Sequence, residues 1–143
     1  MKGEKEMLIK KIKYTDFDGN EREESFYFNL SKAELARMEL TVEGSFTGLV
    51  KRLIEKRKGP EIVKIFENII QTSYGEKSPD GKRFIKSEEA TKEFTQTEAY
   101  SELIMELYSD ANKAAEFIAG ILPADMQKAA NEIGAEKIAA LNS

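Results

Sequence analysis

The amino-acid sequence predicts an α+β fold in which an N-terminal β-hairpin packs on a mainly α-helical body of five to six helices. The first observation behind this prediction is an alternation of apolar and polar residues between positions 8 and 30. The second is a change to a helical period of about 3.6 residues from Ser31 onward. A short apolar run near residue 84 leaves open a third strand beside the hairpin.

Residues 8 to 30 carry the alternation that predicts the hairpin. The first arm places three apolar residues on one face, Leu8, Ile12 and Tyr14. In the second arm the inward positions are Phe26, Phe28 and Leu30. Between the arms, Gly19 and Asn20 tolerate positive φ, which is typical of a turn. A two-stranded hairpin is only marginally stable alone, so this one must pack on helices, gain a third strand or pair with another chain.

Helix-start signals recur after the hairpin. Ser31 and Glu34 form a capping box, which predicts a helix from there to about Leu40. A second helix is expected after Gly44-Ser45, and further helices begin near Pro60, Ser87, Thr97 and Asp110. Residues 74–86 contain two glycines and one proline with little periodicity, so they predict the longest loop. Within that loop, residues 83–85 are the candidate third strand.

The length of the chain predicts one compact domain. We assign residues 1–123 to a single globular domain, with the hairpin at about 7–30 and the helices at about 31–122. Pro123 ends the last of these helices. Residues 124–143 are rich in alanine and carry few apolar anchors, which predicts a loosely docked C-terminal helix or tail.

Composition narrows the classes of function. The 143 residues contain no histidine and no cysteine, which excludes a thiolate nucleophile, a Ser-His-Asp triad, a zinc finger and a disulfide framework. The net charge of -4 argues against general nucleic-acid binding. No run approaches the roughly 18 apolar residues of a membrane span, and we expect no membrane partner.

Two loops resemble ligand-binding motifs but have the wrong spacing. In residues 16–20 the glycine comes fourth, whereas a calcium-binding EF-hand loop needs it sixth and a Glu at position twelve, which here is Tyr27. Residues 75–82 end in Gly-Lys, but Arg83 stands where a phosphate-binding loop needs Ser or Thr. We therefore expect no metal, no cofactor and no catalytic residue.

Five short runs of residues carry a resemblance to a known family, and this resemblance covers most of the chain. They are FYFNLSKAEL at 26–35, YGEKS at 74–78 followed by GKRF at 81–84, FTQTEAYSEL at 94–103 and AAEFI at 114–118. In these runs the chain resembles the tail assembly chaperones of long-tailed, siphovirus-type bacteriophages and of prophages of Gram-positive bacteria.

This resemblance implies a non-catalytic role in the cytoplasm of the infected bacterial host. Such chaperones bind the long tape measure protein, help the major tail protein to polymerise around it, and are absent from the mature virion. The family often makes a longer product by translational frameshifting, which would place the junction in residues 124–143.

A chaperone for a helical client needs exposed apolar positions on its helices. We therefore predict that the partner binds the later helices, on a face formed by Tyr100, Ile104, Tyr108 and Ile121. The alternative is that all four belong to the hydrophobic core.

Three other functions stay open. The chain could be a structural tail component, such as a terminator or connector, that forms a homo-oligomer through the hairpin edge. It could be a small phage effector that binds a host defence protein. An enzyme using only carboxylates and lysines is the third, and it would require a pocket in which these groups converge.

Overall fold

The structure of the protein, a computed structural model, describes residues 7–37 and 60–123. Four strands form one antiparallel sheet in the order β1-β2-β3-β4, with bounds Leu8–Thr15, Glu21–Phe28, Tyr74–Lys77 and Phe84–Ile85. Five helices lie in the described ranges: α1 Lys32–Arg37, α2 Pro60–Ser73, α3 Glu88–Thr95, α4 Glu98–Ser109 and α5 Ala111–Ile121. The predicted α+β fold, with an N-terminal hairpin on a mainly helical body, is confirmed.

The hairpin has the predicted turn and the predicted inner face. Residues 8–15 pair with residues 21–28 in continuous register. In the turn, the Asp16 carboxylate accepts the backbone N–H groups of Asp18 and Asn20, each at 2.9 Å, and Gly19 has a φ of 84°. Ile12 and Phe28 are buried because their shared face lies against the helices. Local alternation and turn chemistry therefore determine this element.

The sequence predicts one long loop after α2, whereas the structure has two short strands there. Its first four residues form β3, which pairs with β2 through Tyr27↔Gly75 and Phe28↔Tyr74. The predicted strand at residues 83–85 exists as β4, but it pairs with β3 and does not touch the hairpin edge. Strands of four and two residues are too short for their alternation to be recognised in the sequence.

A glycine allows β4 to lie close to β3. A Cβ atom at Gly75 would stand 2.8 Å from the Ile85 carbonyl oxygen and 2.9 Å from Cε2 of Phe84. The connecting turn is closed by the Asp80 carboxylate, which accepts the Ser78 hydroxyl at 2.6 Å and the Lys82 N–H at 3.0 Å. The turn and the glycine together bring the chain back beside β3.

The core lies between the inner face of the sheet and the helices, with α4 in contact with β1, α2, α3 and α5. Aromatic rings join these layers. Phe94 stacks on Tyr74 with ring centroids 4.5 Å apart and meets Tyr100 edge-on at 5.4 Å. Phe28 meets Phe117 edge-on at 5.2 Å, which connects the hairpin to α5.

The predicted helix caps form. Ser31 Oγ accepts the Glu34 N–H at 3.1 Å while the Glu34 carboxylate accepts the Ser31 N–H at 3.0 Å, which completes the capping box. Ser87, Thr97 and Asp110 cap α3, α4 and α5. The predicted end of the first helix at Leu40, the second helix after Gly44-Ser45 and the C-terminal segment 124–143 lie outside the described residues.

Candidate partner-binding surface

The structure separates the four residues that the sequence predicted as a partner-binding face. Tyr100, Ile104 and Ile121 are 7%, 7% and 1% exposed and belong to the core. Tyr108 is partly buried and packs against the core from its margin. This burial favours the core alternative for the first three residues. Whether any of the four contacts a partner stays a prediction.

The Tyr100 hydroxyl is satisfied inside the protein. It accepts a hydrogen bond from the Gln71 side-chain amide at 2.9 Å and donates one to the Glu67 carboxylate at 3.1 Å. Burial, together with the neighbouring Glu67 carboxylate, raises the pKa of Tyr100 to about 12 against the opposing effect of Gln71. Tyr100 thus fastens α4 to α2, which is a structural role.

A groove of about 500 Å³ runs between α2 and α3. Its walls carry amides and hydroxyls, and charged groups stand at one end. The lining side chains include Asn68, Gln71, Thr72, Thr91, Thr95 and Lys86.

Lys86 joins three elements at the end of this groove. Its Nζ donates to the Asn29 carbonyl at 2.9 Å, to the Thr72 carbonyl at 2.5 Å and to the Glu34 carboxylate at 2.8 Å. Burial lowers the pKa of Lys86, against the opposing effect of Glu34. Burial raises the pKa of Glu34, but hydrogen bonds from Lys86 and the Ser31 backbone outweigh it, so that pKa lies below its ordinary value. No motif in the sequence indicated this lysine.

The outer half of the hairpin, here called the arm, is exposed along β2. Residues 21–25 are exposed on both faces, and β3 pairs with β2 only at Tyr27 and Phe28. Arg22 fixes the tip by donating from Nε to the Asp16 carboxylate at 2.5 Å, and this bond lowers the pKa of Asp16. At the tip, the Phe17 side chain is exposed.

A cleft lies beside β1, between that strand and α4. Its inner part, of about 260 Å³, is lined by Lys11, Ile12, Lys13, Glu102, Leu103 and Glu106. A second hollow of about 530 Å³, on the arm side, shares Lys13 and Glu102 with it. Glu106 is held by Lys10 at 2.9 Å and Lys113 at 3.3 Å. The cleft therefore has lysines on its strand wall and carboxylates on its helix wall.

The exposed large apolar side chains of the described ranges are not among the four predicted residues. They are Ile9, Phe17, Ile85 and Met105. Met105 is 53% exposed and stands on the outward side of α4, three residues before Tyr108. Sequence reasoning missed Met105 because it lies off the apolar stripe that was used to select the four residues.

Neither a metal site nor a membrane span emerges from the part of the chain that the structure describes. Within residues 7–37 and 60–123, no group of three or more Asp or Glu side chains is arranged to hold a metal ion. No helix in the same ranges has the length and apolar character needed to cross a membrane.

Comparison with known proteins identifies a family. Residues 7–141 match the family model described as phage tail assembly chaperone. No curated protein and no solved structure matches the chain. The matched range includes the hairpin, the cleft beside β1 and all five described helices. The chain therefore belongs to the phage tail assembly chaperone family.

Proposed function

We propose that the protein binds the phage tape measure protein and keeps it soluble while the tail tube assembles around it. The family match over residues 7–141 carries this proposal, because it includes every described element of the fold. The major tail protein is the second proposed partner. The role is binding and not catalysis, and it is exercised in the cytoplasm of the bacterial host before the virion is complete.

The outward side of α4 is the proposed contact for this client. Tyr100 and Ile104 are buried and hold the helix on the body, so the proposed contact lies on a helix that packs on the core. Met105 and Tyr108 are three residues apart and so are neighbours on the surface of α4, with Met105 exposed and Tyr108 partly buried. A methionine side chain is flexible and polarisable and packs against clients of different shape. Met105 thus adds a solvent-exposed residue to the predicted face.

Co-expression with the tape measure protein tests the function. We expect the chaperone to raise the soluble fraction of the tape measure protein and to purify with it. A Met105→Asp variant should lose this effect. Ile85→Asp is the matched control, because Ile85 is also exposed and apolar but lies on β4.

Other observations would point to the alternatives. A host protein as the main partner would support the effector hypothesis and contradict the chaperone proposal. Ring-shaped particles, or the protein in purified virions, would support a structural tail component. If Met105→Asp and Ile85→Asp both lost tape measure binding, the proposed contact on α4 would be contradicted. The proposed function would still stand.

A further inference from the structure

Within residues 7–37 and 60–123, one backbone edge of β1, along the cleft, is not paired with another strand; we call it the free edge. At the turn, the Asp16 N–H donates to the Asn20 carbonyl at 2.9 Å, so the backbone of Asp16 points toward β2. In an antiparallel pair, the N–H and C=O groups of successive residues point alternately toward the partner strand and away from it. The N–H and C=O groups of Ile9, Lys11, Lys13 and Thr15 therefore point away from β2. Among the described strands, β1 is at one end of the sheet, and none pairs with this side of it.

The cleft borders three consecutive residues of β1, where an added strand would lie. An extended segment that bonded to the free edge of β1 would lie beside α4, with Ile12 and Leu103 beneath it. Alternate side chains of that segment would face Glu102 and Glu106 on the helix. The remaining side chains would stand on the outer face, next to Lys11 and Lys13. An exposed edge strand beside a helix is a recurring site for peptide recognition.

The charged side chains along this edge favour one kind of incoming segment. Lys11 and Lys13 are 69% and 83% exposed and share one carboxylate, Glu23, at 3.1 and 3.5 Å. Opposite charges on directly facing strand positions are favourable and like charges are unfavourable. An incoming strand is therefore favoured when it places acidic residues opposite both lysines. The next outward position of β1 is Ile9, which favours an apolar residue.

A second copy of the chain is disfavoured at this edge. Two β1 strands in antiparallel pairing bring outward residues opposite outward residues. In the register that overlaps residues 9–15 fully, Lys11 of each copy stands opposite Lys13 of the other. Lysines on an edge strand are a common device against such self-pairing.

We propose that the free edge of β1 binds an extended segment of another protein, antiparallel to β1. The segment carries acidic residues at two alternate positions, opposite Lys13 and Lys11, and an apolar residue opposite Ile9. This proposal does not depend on the client contact proposed on α4.

A synthetic peptide, Thr-Val-Glu-Val-Glu-Lys-Ile, tests the proposal with the purified full-length protein and no tail protein. Its two glutamates match Lys13 and Lys11 in the antiparallel direction. Hydrogen exchange followed by NMR is the readout. We expect the peptide to slow exchange at Ile9, Lys11 and Lys13 by about tenfold or more at saturation, because these amides gain partners. The amides of Ile12 and Tyr14 already bond to β2 and should change little.

Two altered peptides separate strand pairing from loose electrostatic attraction. N-methylation of both glutamates removes the peptide amides that face β1, and a peptide with lysine at both positions reverses the charge. Either change should weaken binding about tenfold or more. These controls leave the protein unaltered, so they do not depend on the folding of a variant.

A charge-reversed protein provides the complementary test. Lys11→Glu with Lys13→Glu should weaken peptide binding about tenfold. Lys82→Glu with Lys92→Glu makes the same change in net charge away from the cleft and should leave binding unchanged. Three results would overturn the proposal: no binding of the peptide at millimolar concentration, binding without protection of the outward amides, or protection that rises with protein concentration alone. The last would identify a second copy as the occupant.

Discussion

Replacing Lys86 with methionine tests whether this lysine holds the hairpin, α1 and α2 together. Methionine keeps most of the aliphatic length and removes the ammonium group. Two backbone carbonyls, from Asn29 and Thr72, then lose a donor, and the Glu34 carboxylate loses its ion pair. The Lys86 and Glu34 side chains are only 28% and 17% exposed, so water replaces the lost bonds in part.

The expected cost follows from these contacts. A hydrogen bond to a charged group contributes about 1.5–3 kcal/mol when it is shielded. With partial access of water to all three bonds, we expect Lys86→Met to lower the free energy of unfolding by about 2–3 kcal/mol in total. For a chain of this size that corresponds to a fall in Tm of about 7–10 °C.

Chemical denaturation and thermal unfolding measure this loss. Lys82→Met is the matched control, because it makes the same substitution at an exposed position in the neighbouring turn, and it should change stability by less than about 0.5 kcal/mol. Combining Lys86→Met with Glu34→Gln should cost less than the sum of the two single changes, because the two side chains share one interaction. A loss in Lys86→Met no larger than in Lys82→Met would refute the reasoning.

Two further predictions concern β3 and α4. Gly75→Ala should destabilise the protein by about 1–3 kcal/mol, because the new Cβ would stand 2.8 Å from the backbone oxygen of Ile85. Chemical denaturation measures this loss, with Ser25→Ala on the exposed arm as the control. Gly19→Ala is not a suitable control, since that glycine has positive φ. The pKa of Tyr100 is raised to about 12 from an ordinary value of 10.0, so its contribution to stability is complete below pH 10 and is lost as the pH rises toward 12. Tyr100→Phe should remove this part of the loss of stability at alkaline pH. If the variant and the unchanged protein lost stability identically as the pH rises, the raised pKa assigned to Tyr100 would be contradicted.

Local features of the fold were predictable from the sequence because they depend on neighbouring residues. The alternation in residues 8–30 determined which side of the hairpin faces the helices, and Ile12 and Phe28 are buried as it predicted. The capping box at Ser31 and Glu34 forms because its two hydrogen bonds join residues only three positions apart. Turns and caps of this kind need no tertiary contact to be recognised.

The candidate surface was predicted less well. An apolar stripe shows which residues of a helix share a face, but not whether another element covers that face. Tyr100, Ile104 and Ile121 lie on covered faces, whereas Met105 lies outside the stripe and is exposed. Burial depends on how helices and sheet pack, and the periodicity of one segment does not contain that information.

The sequence by itself determined the hairpin, its turn, the helix starts and the absence of histidine and cysteine chemistry, since each follows from residue type or short-range spacing. Only the tertiary structure decided the sites. Lys86 meets Asn29 across 57 positions of the chain, and the cleft beside β1 forms where Ile12 and Leu103 meet. Contacts between residues so far apart depend on the packing of whole elements, which no local pattern specifies.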